Sequence, residues 1–219
     1  MNSLTEENYL KALYLLSGEN GEVSVNDLAR ALDIRMPTAT SMIKKLADKK
    51  LVEYTSYKPP RLSDLGRLQA AAIIRKHRLT EMFLVEKMGF RWDEVHDIAE
   101  QMEHIHSALF FDRMDALLGH PAFDPHGSPI PDKQGNVSPP HYFPLSECAC
   151  GDRVVFMAVR RSSEDFLQFL NGKGLALRMV IEVKSKEEFD GSMVLAYDGH
   201  AHENVSGRAV ELMLVERYA

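Results

Sequence analysis

Residues 24–50 read SVNDLARALDIRMPTATSMIKKLADKK. Ser24 can cap a helix over VNDLARAL that stops near Asp33, and Pro37 sits where a first-turn proline is tolerated, opening a second helix. Two short helices joined by about four residues, the second beginning in small polar groups, make the helix-turn-helix pattern. On a wheel of about 100° per residue, Ala39, Met42, Ile43 and Leu46 share one face of the second helix, and Thr40, Ser41, Lys44 and Lys45 share the opposite one. Hydroxyls near the helix start reach base edges, and lysines further along suit phosphates. The same wheel also describes any amphipathic helix with a polar outer face, so the flanking sequence has to decide.

Upstream, Ser3 and Glu6 can form a capping box for a helix whose Tyr9, Leu10, Leu13 and Tyr14 line one side. Downstream, LVEYTSYKPPRLS (51–63) supplies two short strands with Lys58 and Arg61 at or near the tip, as a DNA-contacting wing would. The candidate DNA contacts are Arg35, Pro37, Thr38, Thr40, Ser41, Lys44, Lys45, Lys58 and Arg61. Charge is split to match. Residues 1–80 carry 13 Lys and Arg against 9 Asp and Glu, whereas residues 81–219 carry 13 against 23. The basic excess therefore sits where a phosphate-facing surface needs it, although the whole chain is at −6.

The 219 residues, 45% hydrophobic and 26% charged, are enough for more than one core. No run reaches membrane-span length and the N-terminus lacks a basic region followed by an apolar one, which predicts a cytoplasmic protein with no membrane partner. Cys148 and Cys150 stand too close together to make a useful staple, consistent with a reducing compartment. They are a loop at a domain entrance or a soft-metal pair; His200 and His202, in DGHAHEN, read as exposed hairpin residues.

Seven of the ten prolines fall in GHPAFDPHGSPIPDKQGNVSPPHYFP (119–144), which reads as a linker or an extended crossing. After it come the β-like runs RVVFMAV, LRMVIEV, SMVLAYD and AVELMLVERY. One helical segment, SEDFLQFLNGKG, interrupts them, with Ser163 as its N-cap and Gly172 or Gly174 as its stop. A small, partly open β-barrel of about 70 residues is the expected architecture of this half.

The strongest chemistry lies in residues 77–104. RKHRLTE sets His77 and Glu81 four apart, and HDIAEQMEH sets His96, Glu100, Glu103 and His104 at helical angles of about 0°, 40°, 340° and 80°. Imidazole with carboxylate suits Mn²⁺, Fe²⁺, Co²⁺ or Zn²⁺. A single His–Glu pair is usually solvated surface, but two helices with the same donors argue for a metal centre. H-E-x-x-H is absent, so nothing supports a metalloprotease.

These segments resemble the diphtheria-toxin-repressor family, which includes manganese-transport regulators. The resemblance rests on ENYLKALYLL, IRMPTATSMIKKL, LSDLG, RKHRLTE, VHDIAEQMEH and GSPIP, and runs almost end to end. It implies a fold of class α+β: a winged helix-turn-helix domain over 1–72, a helical metal-binding and dimerisation domain over 73–119, a Pro-rich linker over 120–144, and an SH3-like (FeoA-like) small β-barrel over 145–219. It further implies that His77, Glu81 and His96 belong to an ancillary metal site, and that Glu100, Glu103 and His104 belong to the site controlling DNA binding. Asn8 stands where relatives offer Asp or Met, and Lys11 where some manganese members place a second acidic ligand, so that contact is expected to be absent. Asp165 matches an ancillary ligand offered by the C-terminal domain, while Ser162 departs from another.

The resemblance implies a homodimer on double-stranded operator DNA, and apolar Leu109, Phe110, Met114, Leu117 and Leu118, on the helix after the ligands, can form its two-fold seam. It further implies a metal-dependent repressor, not an enzyme, that controls metal-uptake genes. The expected cofactor is Mn²⁺ or Fe²⁺, with Mn²⁺ favoured by Glu100, where iron-type members carry cysteine; other divalent transition metals are candidates in vitro. The rival readings are a metal-storage or delivery protein without DNA activity and a metal hydrolase.

Overall fold

The structure, a computed structural model, describes residues 2–18, 20–56, 58–138 and 140–218. Tyr57 of the wing segment and Pro139 of the Pro-rich stretch lie outside them. Two compact units emerge: Met1–Thr80 with Ile98–Gly119 and Ile130–Val137, and Glu81–Asp97 with His120–Pro129 and Ser138–Ala219. Among the described residues no helix is long and apolar enough to cross a membrane.

The first unit opens with α1 (Leu4–Leu16), whose capping box is formed: Glu6 N donates to Ser3 Oγ at 3.3 Å, and Ser3 N donates to Glu6 Oε2 at 2.8 Å. Such a cap contributes about 1 kcal/mol. Ser24 caps α2 (Val25–Ala31), and α3 (Met36–Asp48) follows with a proline in its first turn. Ala39, Ile43 and Leu46 of α3 are fully buried against Leu10 and Leu13 of α1 and Leu28 of α2. The wing is an antiparallel pair, β1 (Val52–Glu53) and β2 (Arg61–Leu62). Where the chain leaves it, Gly66 lies against the Leu51 carbonyl so closely that a Cβ would stand 1.9 Å from that oxygen.

Helix α4 (Asp64–Met88) runs through both units, contributing Ala70 and Ile73 to the first core. Next come α5 (His96–Met102) and α6 (Ala108–Leu117). The wheel that carries the ligands through His104 holds only to Met102. Glu103 N still donates to Ala99 O at 2.9 Å, and Ile105 N donates to Met102 O at 3.0 Å, so Glu103 and His104 lie in the closing turn.

The second unit holds a six-stranded antiparallel sheet: β3 (Phe143–Pro144), β4 (Arg153–Val159), β5 (Val180–Lys186), β6 (Met193–Tyr197), β7 (His200–Val205) and β8 (Met213–Arg217), in the order β3-β8-β4-β5-β6-β7. The expected barrel is not formed: the sheet stays open, with β3 and β7 as its edges. Closure needs the two edges to pair. Here β3 is two residues long and ends in Pro144, which has no N–H to give, while β7 alternates into the polar His200, His202 and Asn204. Helices cover the apolar face instead. Phe166, Leu167 and Leu170 of α7 (Glu164–Gly172), with Ala209 and Val210 of α8 (Gly207–Leu212), share a core with Phe156, Ile181, Val183, Leu195 and Val215. The run AVELMLVERY, read as one strand, is split at Met213 because Ser206 caps α8, accepting from Ala209 N at 3.4 Å. Ser163 stands at the N-cap of α7, with no side-chain cap bond.

Candidate metal centre and nucleic-acid interface

Within the first unit, α4 and α5 bring one donor atom each of His77, Glu100 and Glu103 to within 4.8 Å of one another. His77 and Glu103 are buried and Glu100 is partly so. His77 Nδ1 lies 2.6 Å from Glu103 Oε2. Burial raises the Glu103 pKa, but the bond to His77 and the charge of Lys11 outweigh it, so the carboxylate sits below its usual range.

Around the closing turn of α5, His104 Nδ1 is 2.6 Å from Glu7 Oε2 on α1, and His106 Nε2 is 3.7 Å from the other Glu7 oxygen. His104 thus turns Nδ1 to Glu7 and Nε2 towards Glu103 Oε1, at 3.8 Å. A carboxylate behind an imidazole is how metal-binding histidines are oriented. Two buried oxygens, Asn8 Oδ1 on α1 and Glu103 Oε1 in the closing turn of α5, make no hydrogen bond. Buried polar atoms normally find partners. Two orphan oxygens and an oriented imidazole nitrogen are a donor set that fits a divalent transition metal.

The second unit holds a group that the sequence reading missed: Glu81, Asp124 and His126, all buried, offer donor atoms within 4.8 Å of one another. His126 Nδ1 is 3.5 Å from Glu81 Oε2, and its Nε2 is 2.8 Å from the Trp92 carbonyl, to which it donates. Burial depresses the His126 pKa, but Glu81, Asp124 and the Trp92 carbonyl more than reverse this, leaving it raised. Asp124 Oδ1 accepts from His126 N at 2.8 Å and Ser128 N at 2.9 Å, folding DPHGS into a tight turn. Gly127, at φ +84°, completes it, and a Cβ there would meet the Met157 carbonyl at 2.2 Å. A histidine two residues after an aspartate, inside a Pro/Gly turn, was the available signal.

The ancillary trio inferred from the family divides between the units, His77 in the first and Glu81 and His96 in the second. His96 Nδ1 is 3.6 Å from Glu81 Oε1. The cleft beside His96 is lined by Ser162, Ser163 and Glu164, while Asp165 lies exposed in the first turn of α7. Cys148 is buried and Cys150 exposed, both free, and His200 and His202 lie on β7.

On α3, Pro37, Thr38, Ser41, Lys44 and Lys45 are exposed, as is Arg35 just before it. Thr40 is half-buried and donates to the Met36 carbonyl at 3.0 Å. Lys45 reaches Glu6 Oε1 at 3.3 Å and Lys49 reaches it at 2.7 Å. In the wing, Lys58 is exposed, and Arg61 opens β2, paired with Glu22 at 2.9 Å.

Residues 1–59 match the model of the iron-dependent repressor N-terminal DNA-binding domain, and residues 63–132 that of the iron-dependent repressor metal-binding and dimerisation domain. The iron-dependent repressor IdeR of Mycobacterium tuberculosis is 35% identical over 133 residues, 60% of this chain and 58% of that protein. The chain thus spans somewhat over half the length of the curated relatives it matches first. Among solved structures, a manganese-dependent transcriptional repressor in complex with manganese superposes with TM-score 0.88 at 35% identity, covering 97% of this chain and 99% of that one. ScaR with bound Cd²⁺ superposes with TM-score 0.82 at 30% identity, over 97% and 99%.

Proposed function

The chain belongs to the diphtheria-toxin-repressor family of metal-dependent transcriptional regulators, and we propose that it is a homodimeric repressor that reads operator DNA with α3 and the wing under the control of Mn²⁺ or Fe²⁺. Family membership sets aside the hydrolase and storage readings. The observation that carries the mechanism is the placement of Glu6 and Glu7. Side by side on α1, they hold α3 through Lys45 and Lys49 and the closing turn of α5 through His104.

Asn8, Glu100, Glu103 and His104 would hold the regulatory ion, whose positive charge supplies the attraction that draws α1 and α5 together. Glu7 fixes the His104 ring, and Glu6 couples the position of α1 to that of α3. The donors are oxygen and imidazole nitrogen with no sulfur, which favours Mn²⁺, with Fe²⁺ next. Glu81, Asp124 and His126 form a second centre in the other unit, with His96 at its margin. His77 and Asp165 complete the family's ligand roster by resemblance.

Residues 1–72 act as the reader and 73–119 as the metal-binding and dimerisation segment. Leu109 and Leu117 on α6 are 64% and 60% exposed and Phe110 is 39% exposed, an apolar face suited to a two-fold seam. Met114 is buried within the protomer and belongs to its core instead. Footprinting of candidate promoter DNA with Mn²⁺, Fe²⁺, Zn²⁺ or chelator tests the reading. Protection must appear with metal and vanish with chelator; protection indifferent to both would sink it.

A further inference from the structure

Helix α1 places a cation of its own among the acidic donors. The Lys11 ammonium lies 2.5 Å from Glu100 Oε1, 2.7 Å from Glu103 Oε2 and 3.2 Å from His77 Nδ1. These are the three residues whose donor atoms converge within 4.8 Å. Two carboxylates and an imidazole at that spacing make a pocket for a divalent ion, and here an ammonium fills it.

We propose that Lys11 is a resident cation of the regulatory centre. Its ammonium takes the His77–Glu100–Glu103 position, restricts the centre to one metal ion on the remaining donor atoms of Asn8, Glu100, Glu103 and His104, and ties α1 to α4 and α5 before metal arrives. The inference rests on the reading of this region as the regulatory metal site.

Three features support it. Glu103 divides its oxygens: Oε2 serves Lys11 and His77, whereas the buried Oε1 has no hydrogen-bond partner and faces His104 Nε2. One carboxylate can therefore join a fixed ammonium to a metal ion. Asn8 and Lys11 are three residues apart, which puts the donor and the ammonium on the same side of α1. Leu10 and Leu13, both at 0% exposure, anchor the helix on either side of Lys11, so rolling α1 to withdraw the ammonium would break the core.

The test is Mn²⁺ binding to the full chain by calorimetry and low-temperature electron paramagnetic resonance, for the parent, Lys11→Glu, Lys11→Met, Lys11→Arg and Glu103→Ala. The parent should show no exchange-coupled Mn²⁺ pair. Lys11→Glu should gain one ion per chain and display the coupled-pair spectrum, and Lys11→Arg should match the parent. In chelator, Lys11→Met leaves buried carboxylate charge unpaired, so its Tm should drop by about 5 °C and recover with Mn²⁺. A coupled pair already present in the parent overturns the proposal, as does a Lys11→Glu chain that gains no ion. If Lys11→Glu does not fold, the same gain of one ion is required of Lys11→Met, and its absence is equally fatal. Loss of the parent's binding in Glu103→Ala upholds the underlying site reading whatever Lys11 does; an unchanged isotherm in Glu103→Ala removes that reading instead.

Discussion

Glu6 and Glu7 are sequence neighbours with opposite assignments: the Glu6 carboxylate grips Lys49 of α3's C-terminal cap at 2.7 Å, while the Glu7 carboxylate grips His104 at 2.6 Å. Successive residues on a helix point about 100° apart, so one turn of α1 faces two neighbours. On the proposed function, a displacement of α1 by the bound ion would be passed through Glu6 to α3, the proposed reading helix.

Glu6 gives this link a pH signature. The bond from Lys49, then that from the Ser3 backbone, lower its pKa to about 2 from an ordinary 4.5. A carboxylate with a lowered folded-state pKa stabilises above its unfolded value and loses that contribution as pH falls through the folded one. Its lysine partners are half in water, which limits the contribution to about 1 kcal/mol. Urea unfolding of the parent should therefore weaken between pH 4.5 and 2 more than that of Glu6→Gln. Equal pH dependence in the two proteins would remove Glu6 from the link.

Glu7→Gln keeps the side-chain length but no longer holds His104 as a carboxylate does. Loss of such backing costs metal affinity about 10- to 100-fold. Half-activation of DNA binding should move to higher Mn²⁺ by that factor, measured by fluorescence anisotropy with a fixed operator duplex. Metal-saturated DNA affinity should be unchanged.

Asn8 offers a dipole where a carboxylate would offer a full charge. Asn8→Asp, of equal length, should half-activate at lower Mn²⁺ than the parent, and Asn8→Leu should bind metal yet respond poorly on DNA. If calorimetry and DNA titration both leave the two variants at parental values, α1 does not touch the ion.

At the second centre, His126→Ala should abolish one class of bound metal without altering the ion held by Glu103. Calorimetry of His126→Ala, Glu103→Ala and the double variant separates them, since centres in different units should give additive losses. Identical losses in the two single variants would mean one shared site.

On α3, Lys44 is exposed whereas Lys45 is engaged with Glu6. Lys44→Ala should weaken binding to all duplexes and make the salt dependence shallower by about one unit. Ser41→Ala should chiefly relax sequence preference. An unaltered salt slope for Lys44→Ala would strike that residue from the phosphate contacts.

Local signals carried the reader well. Caps at Ser3 and Ser24, the proline opening α3 and the apolar stripe of Ala39, Ile43 and Leu46 are each decided by residues within one or two turns of one another. What depends on distant pairing was less legible. Nothing within β3 or β7 announces whether these two strands, at opposite edges of a six-stranded sheet, will meet, and the open sheet follows from Pro144 and the polar face of β7. Asp124 and His126 were hidden by their own turn, because prolines and a glycine dominate a local reading of DPHGS. Lys11 was legible only as a missing acid. Its ammonium matters through Glu100 and Glu103, about ninety residues away in the chain.

The uncovered leucines of α6 also bear on dosage. If the reading unit forms only when two chains meet through Leu109 and Leu117, its abundance follows mass action and rises with the square of protomer concentration while protomers predominate. Scarcity of the protein itself then lifts repression more steeply than in proportion, at a fixed level of metal. Changes in how fast the chain is made or degraded become a second input, read by the same two leucines that one protomer leaves facing water.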